Sequence, residues 1–105
     1  MNARIALRIA TLTERLSDLR NVGPAAMADF AVLGIETVSQ LRTSDPDVLV
    51  GELERRTLRR QDPCVRDVFA AAIHEARTGE ALDWWAFTPL RVTRYAKTLK
   101  PKPAR

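Results

Sequence analysis

The sequence predicts a small all-α domain, and three observations support that prediction. A chain of 105 residues is long enough for one domain with a single modest core. Apolar residues recur three and four positions apart along much of the chain, whereas no segment shows the sustained alternation of a β-strand. Proline and glycine stand at positions where helices typically begin and end. We therefore expect about five short helices joined by short connections.

The first predicted helix covers residues 3 to about 19. Its apolar residues form one stripe at alternating spacings of four and three: Ile5, Ile9, Leu12, Leu16 and Leu19. A capping box from Thr11 to Glu14 could restart the helix, so we expect a possible break near Thr11.

The second predicted helix follows a turn and ends at a glycine. Pro24 cannot continue the preceding helix but suits the first position of a new one, which we expect to reach Leu33. Met27, Phe30 and Ala31 are predicted to face the core. Gly34 is expected to end this helix as a left-handed cap, with Ile35 making the accompanying hydrophobic contact.

Capping signals also mark three later helices. A capping box from Thr37 to Gln40 opens a short helix to about residue 42. Asp45-Pro46 opens a helix to about residue 56, and Asp62-Pro63 opens one to about residue 78 that Gly79 closes. The last of these helices has one apolar face, made of Val65, Val68, Phe69, Ala72, Ile73 and Ala76.

Positive charge is concentrated at the carboxyl end. The net charge is +4, yet residues 91–105 contain no acid and six bases: Arg91, Arg94, Lys97, Lys100, Lys102 and Arg105. Residues 1–90 then hold eleven basic and thirteen acidic side chains, a net charge of −2. We expect residues 1–90 to form the domain and residues 91–105 a flexible basic tail that can lie along a phosphate backbone.

The turn from Leu19 to Gly23 resembles a helix-hairpin-helix motif. Asn21 stands where that motif usually has its first glycine, so we expect it in the left-handed or bridge region. Backbone amides at such a turn can hold a DNA phosphate without reading bases. The candidate nucleic-acid-binding residues of this turn are Arg20, Asn21, Val22, Gly23, Ala25 and Ala26, joined by Arg91, Arg94, Lys97, Lys100 and Lys102 of the tail. The alternative is a turn that only packs helices, since Pro24 lacks an amide hydrogen and lysines are absent here.

A wider resemblance covers about residues 16–87. The segments 18–24, 33–38 and 62–69 and the pair Trp84-Trp85 resemble the pathogenicity-locus family of bacteria, whose members are often labelled mitomycin-resistance proteins. The first half is also similar to the carboxy-terminal domain of TfoX-type competence regulators. The resemblance implies a five-helix, SAM-like fold with one helix-hairpin-helix.

Catalytic and metal chemistry find little support in the sequence. One cysteine and one histidine exclude a disulfide framework, a multi-cysteine zinc site and a histidine-rich metal site. Cys64 and His74 fall on different faces of one predicted helix, so we expect a structural cysteine rather than a Cys-His nucleophile. We find no phosphate loop, nucleotide fingerprint or paired carboxylates. The prediction is a protein without enzymatic activity, cofactor or metal.

Two further clusters have both a binding and a structural interpretation. Trp84, Trp85 and Phe87 could form a platform for unpaired bases, but a lid that closes the core is the favoured interpretation. Four arginines at 55, 56, 59 and 60 form a second basic cluster beside Glu52 and Glu54, which favours a solvated, salt-bridged surface.

The leading functional prediction is a cytoplasmic protein that binds DNA without sequence specificity, through the hairpin amides and the basic tail. One alternative is a protein-interaction module of SAM-like type, associating with a second copy or a protein partner through exposed aromatics. Another alternative is a drug-resistance accessory protein. The sequence contains no run of about 20 apolar residues, so we expect no membrane span.

Overall fold

The computed structural model describes the backbone of residues 15–99 and the side chains of residues 15–93. Within this range the chain forms five α-helices: α1 Pro24–Leu33, α2 Val38–Arg42, α3 Pro46–Thr57, α4 Pro63–Thr78 and α5 Thr88–Leu99. Two 3₁₀ turns, Leu16–Asp18 and Trp84–Ala86, complete the described elements. The described residues contain no β-strand, and the all-α prediction is confirmed.

The helices begin where the capping residues place them. The Asp45 side chain accepts hydrogen bonds from the amides of Asp47 and Val48, and the Asp62 side chain accepts one from Cys64 at 2.9 Å. The predicted capping box at Thr37 and Gln40 is confirmed, because each side chain bonds the other's backbone amide. These contacts satisfy first-turn amides that have no partner within the helix.

Gly34 ends α1 as predicted. Its φ is 75°, and its amide donates a hydrogen bond to the carbonyl of Ala31. The amide of Ile35 donates to the carbonyl of Phe30 at 2.9 Å. This is the Schellman pattern of a left-handed cap. Gly79 closes α4 with φ 82°, whereas α3 ends without glycine at Leu58, whose φ is 57°. Because Leu58 is left-handed, Arg56 and Arg60 are not neighbours on one continuous helix.

Helix α4 lies at the centre of the molecule and packs against α2, α3 and the 3₁₀ turn Trp84–Ala86. Phe30 of α1 and Phe69 of α4 are fully buried, with ring centroids 5.3 Å apart. The predicted apolar face of α4 contacts the core, with Val65 and Val68 only partly buried. The sequence did not predict that Asp67 of α4 is also fully buried.

Two predictions about the amino-terminal half need correction. The predicted helix from residue 3 to 19 lies mostly outside the described residues, and its described end is only the 3₁₀ turn Leu16–Asp18. Met27 and Ala31 do not face the core. Helix α1 instead buries Ala26 and Phe30, four positions apart, because this stripe faces the rest of the protein.

Residues 91–99 of the predicted tail are helical, and the flexibility of the tail stays a prediction. Helix α5 runs from Thr88 to Leu99, so the structured part extends beyond the expected boundary at residue 90. None of the helices described between residues 15 and 99 has the length and apolar character needed to cross a lipid bilayer.

Candidate functional site

The turn between the first 3₁₀ turn and α1 is tied to the rest of the fold. Leu19 and Val22 are buried in the core. The amide of Val22 bonds the carbonyl of Leu19 at 3.1 Å, and Gly23 is extended at φ −101°. Among the described residues only Leu58 combines a side chain with a positive φ, so Asn21 is not left-handed, and of the two predicted backbone regions the bridge region stays a prediction.

Asn21 instead links the turn to the segment before the second 3₁₀ turn. Its side-chain amide donates to the carbonyl of Leu82 at 2.6 Å, and its side-chain oxygen accepts the Trp84 amide hydrogen at 2.9 Å. Both functional groups of the side chain are therefore occupied by backbone partners. These two bonds explain the choice of asparagine at this position without requiring a special φ.

Arg20 is also held by the protein. Its backbone amide donates to the Glu75 carboxylate at 2.9 Å, and its guanidinium pairs with Asp83 at 2.7 Å. The hydrogen bond and the charge of Asp83 raise the pKa of Arg20. The guanidinium remains about half exposed, but its positive charge is offset by two neighbouring carboxylates.

The amides that the turn can still present lie in the first turn of α1. The first bond along α1 runs from the Met27 amide to the Gly23 carbonyl at 2.9 Å, so the amides of Ala25 and Ala26 precede it. Gly23 supplies no side-chain cap to them. Ala25 is exposed and Ala26 is buried.

Arg91 belongs to the core rather than to a tail. Asp67 is fully buried in α4 and accepts hydrogen bonds from the Arg91 Nε at 3.0 Å and from the Thr88 hydroxyl at 2.8 Å. We call Asp67, Thr88 and Arg91 the carboxylate clamp. The clamp joins the start of α5 to α4, and it satisfies a buried charge that would otherwise destabilise the fold.

The remaining predicted tail residues lie beyond the clamp. Arg94 and Lys97 are in α5, where the structure describes the backbone alone, and Lys100, Lys102 and Arg105 lie outside the described residues. The structure therefore does not bring the hairpin residues and the tail residues together in one described site.

An open groove of about 700 Å³ lies between the start of α4, the second 3₁₀ turn and α5. The Trp84 and Trp85 rings meet edge to face, with centroids 5.5 Å apart and planes at 82°. Trp84 is half-buried and Trp85 is 59% exposed. Their 3₁₀ turn packs on α4, as a lid would, but one indole remains largely exposed. The groove is lined by Cys64, Trp84, Trp85, Thr88, Pro89, Val92 and Thr93.

Cys64 and His74 have separate environments. Burial, followed by the hydrogen bond with Asp62, raises the pKa of the Cys64 thiol. The His74 ring contacts Phe87 at a centroid distance of 5.6 Å, and its Nε2 lies 2.7 Å from the Glu80 carboxylate. These contacts favour structural roles for both residues.

The second basic cluster is partly paired. Glu52 bonds both Arg55 and Arg56, and these arginines lower the pKa of the Glu52 carboxyl. Arg56 also donates to the carbonyl of Val32 at 2.8 Å. Arg59 and Arg60 are exposed just beyond α3. The predicted salt-bridged surface is therefore observed at Arg55 and Arg56.

Sequence reasoning missed Asp67, and no local signal marks it. Its partners lie 21 and 24 positions further along the chain. The groove had a clearer signal, because two adjacent tryptophans in a chain with six aromatics stand out.

Comparison with known proteins shows the family to which the chain belongs. Residues 9–93 match the pathogenicity locus family. The chain belongs to this family. Mitomycin resistance protein McrB of Streptomyces lavendulae is 36% identical over 76 residues, which cover 72% of each chain. No solved structure matches the chain. Neither match concerns TfoX-type regulators, so that resemblance stays a prediction.

The match to the pathogenicity locus family extends further than the resemblance predicted. It ends at residue 93, so it includes the turn from Leu19 to Gly23, the groove and the whole carboxylate clamp. Arg94, Lys97, Lys100, Lys102 and Arg105 follow the matched segment. The family match therefore covers the body of the domain, and the acid-free cluster of five bases is additional to it.

Proposed function

We propose that this protein binds nucleic acids without sequence specificity, mainly through phosphate contacts of the basic residues after residue 93. The observation that carries the proposal is the charge distribution: the last acidic residue of the chain is Asp83, whereas five basic residues follow residue 93. Phosphate contacts of this kind supply essentially all of non-specific affinity for nucleic acids.

The contacts of the hairpin support giving it the smaller role. Asp83 and Glu75 offset the charge of Arg20, and both groups of the Asn21 side chain are occupied. What remains are the amides of Ala25 and Ala26, at the positive end of the α1 dipole. Two such amides can position one phosphate but cannot attract a polyanion over distance.

The clamp changes the expected salt dependence. Because Arg91 pairs with buried Asp67, five cations of the tail remain for phosphates, and their contacts should give a slope of log affinity against log salt no steeper than about −4.5 on duplex DNA. Affinity should be measured by fluorescence anisotropy of a labelled duplex at several salt concentrations.

A matched pair of variants tests where the contacts lie. Replacing Lys100, Lys102 and Arg105 with glutamine should reduce the size of the slope by about 2.7 and weaken binding. Replacing Arg55, Arg59 and Arg60 with glutamine removes the same charge from another surface and should leave the slope unchanged. The proposal is wrong if the arginine variant loses binding while the tail variant keeps it. It is also wrong if the full chain does not bind below about 100 μM at physiological salt, which would favour the protein-interaction alternative.

The relative from Streptomyces lavendulae favours a second candidate, a drug-resistance accessory function. That protein is named a mitomycin resistance protein, and the alignment spans 72% of both chains. Expression of this chain in a mitomycin-sensitive bacterium should then raise the minimum inhibitory concentration relative to the empty vector. An unchanged inhibitory concentration, with the protein present and folded, would remove this candidate.

A further inference from the structure

The groove beside Trp84 and Trp85 has fixed walls. Asn21 holds the Trp84 backbone through the hairpin, and the carboxylate clamp holds the start of α5 against α4. A binding surface that is held in place before binding loses little conformational freedom when a ligand arrives. The groove is therefore more than a gap between loosely attached segments.

The groove offers a flat aromatic surface to solvent. An edge-to-face pair leaves much of one ring uncovered, and Trp85 is 59% exposed. Val92 on the facing helix is 52% exposed and lines the same groove. A planar ring could be placed against the indole and this aliphatic side chain at once.

The lining carries no full charge at neutral pH. Its titratable side chain is Cys64. Burial raises the pKa of the Cys64 thiol, so the thiol stays protonated at neutral pH. Of the nearby carboxylates, Asp67 is paired with Arg91 and Asp83 with Arg20, while Asp62 caps α4 by accepting a hydrogen bond from the Cys64 amide. Such a lining favours an uncharged planar ring, and every nucleobase presents one.

The chain that forms the groove continues into the basic segment. From Trp84 to Arg105 the sequence contains no acidic residue, and Arg94 and Lys97 lie within the same helix as Val92. The groove is therefore continuous in sequence with the basic residues to which the proposed function assigns the phosphate contacts. A base within a duplex is already stacked and paired, so its entry would require unstacking that costs a few kcal/mol.

We propose that the groove at Trp84 and Trp85 takes an unpaired base of a single-stranded nucleic acid by stacking, while the basic residues after residue 93 contact its phosphates. This inference rests on the proposed nucleic-acid binding and names the form of nucleic acid preferred. It assigns the exposed Trp85 a role in binding.

Intrinsic fluorescence gives a direct measurement, because both tryptophans of the chain line the groove. The full-length protein is titrated at one salt concentration with a short oligothymidylate, with an abasic oligonucleotide of the same length and charge, and with a duplex. We expect the oligothymidylate to quench the emission and to bind about 5- to 150-fold more tightly than the abasic strand, as stacking of one base predicts.

Two variants locate the effect. Trp85→Ala should reduce the affinity for oligothymidylate to that for the abasic strand, and Trp85→Phe should retain most of the difference. Leu90→Ala is the matched control, since Leu90 is 61% exposed on α5, the helix that carries Val92, but does not line the groove. Circular dichroism confirms that each variant is folded.

The outcomes separate the two proposals. Equal affinities for the oligothymidylate and the abasic strand would overturn the stacking inference and leave phosphate binding intact. Equal quenching and affinity with the duplex would also overturn it. If neither single strand binds below about 100 μM, the proposed function itself fails and the stacking inference fails with it.

Discussion

Asn21 and Asp67 are two of the polar side chains that hold distant parts of the chain together. Asn21 bonds Leu82 and Trp84, and Asp67 bonds Thr88 and Arg91. A hydrogen bond contributes only modest net stability, but an unpaired partner left in the interior is costly. The main effect of these two residues is therefore to fix the position of the segment from residue 82 to α5. Their net contribution to the free energy of unfolding is smaller.

Replacing Asn21 distinguishes a tertiary link from a strained turn. If Asn21 occupied a left-handed position, glycine would be better tolerated than alanine by about 1 kcal/mol. Its φ is not positive and its side chain makes two bonds, so we expect Asn21→Gly and Asn21→Ala both to lower the free energy of unfolding by about 1–2 kcal/mol. Urea denaturation followed by circular dichroism measures this. A glycine variant as stable as the natural protein would contradict the expectation.

The environment of Cys64 predicts slow thiol chemistry. Burial raises the pKa of its thiol, so at a given pH a smaller fraction is thiolate than in a free cysteine. We expect its reaction with a disulfide reagent near pH 8 to be slower than that of the same protein unfolded in guanidinium, and its rate to keep rising at more alkaline pH. A native thiol that reacts as fast as the unfolded chain would show that the thiol is neither buried nor raised in pKa.

At the level of elements, the sequence predicts helix boundaries well where the signal is local. Asp45, Asp62 and Gly34 act on amides or carbonyls within a few residues, so their roles follow from neighbouring positions alone. The basic composition of residues 91–105 predicts a flexible tail, whereas residues 88–99 form a helix. Val92, Ala96 and Leu99 are spaced four and three apart, which is the helical pattern that could have revealed α5.

The candidate site was less predictable than the helices, because it depends on contacts between distant segments. The sequence predicts Arg20 and Arg91 as candidate phosphate-binding residues. Each one is paired with a carboxylate from another element, Asp83 or Asp67. No spacing rule within a single sequence predicts such pairs, whereas the aromatic pair and the acid-free segment are visible in composition alone.

Two glycines should respond to substitution in opposite directions. Gly34 has φ 75°, so Gly34→Val should cost on the order of 1 kcal/mol or more through left-handed strain. Gly51 lies within α3 with open space around the position of a Cβ, so Gly51→Ala should stabilise the protein by about 0.5–1 kcal/mol. Thermal and urea unfolding of both variants give the comparison. Equal effects of the same sign would show that one of the two backbone assignments is wrong.

At the scale of the whole molecule, the domain combines a body described from residue 15 and a basic extension. Helix α5 belongs to both, because its first turns complete the clamp and its later positions carry Arg94 and Lys97. The pathogenicity locus match ends at residue 93, inside this helix. We therefore expect the boundary between fold and extension to lie within α5 rather than at residue 90.

Truncation at two points tests that boundary. A chain ending after Leu90 loses Arg91 and leaves the buried Asp67 carboxylate without its cation, which should cost about 3–5 kcal/mol of unfolding free energy. A chain ending after Leu99 keeps the clamp and should unfold within about 0.5 kcal/mol of the full-length protein. The point variant Arg91→Met keeps α5 but removes the ion pair, so it separates the effect of the ion pair from the effect of the helix. Urea denaturation gives the free energy of unfolding of this variant and of both truncated chains. Equal stability of the two truncated chains would return the boundary to residue 90 and make α5 dispensable for the fold.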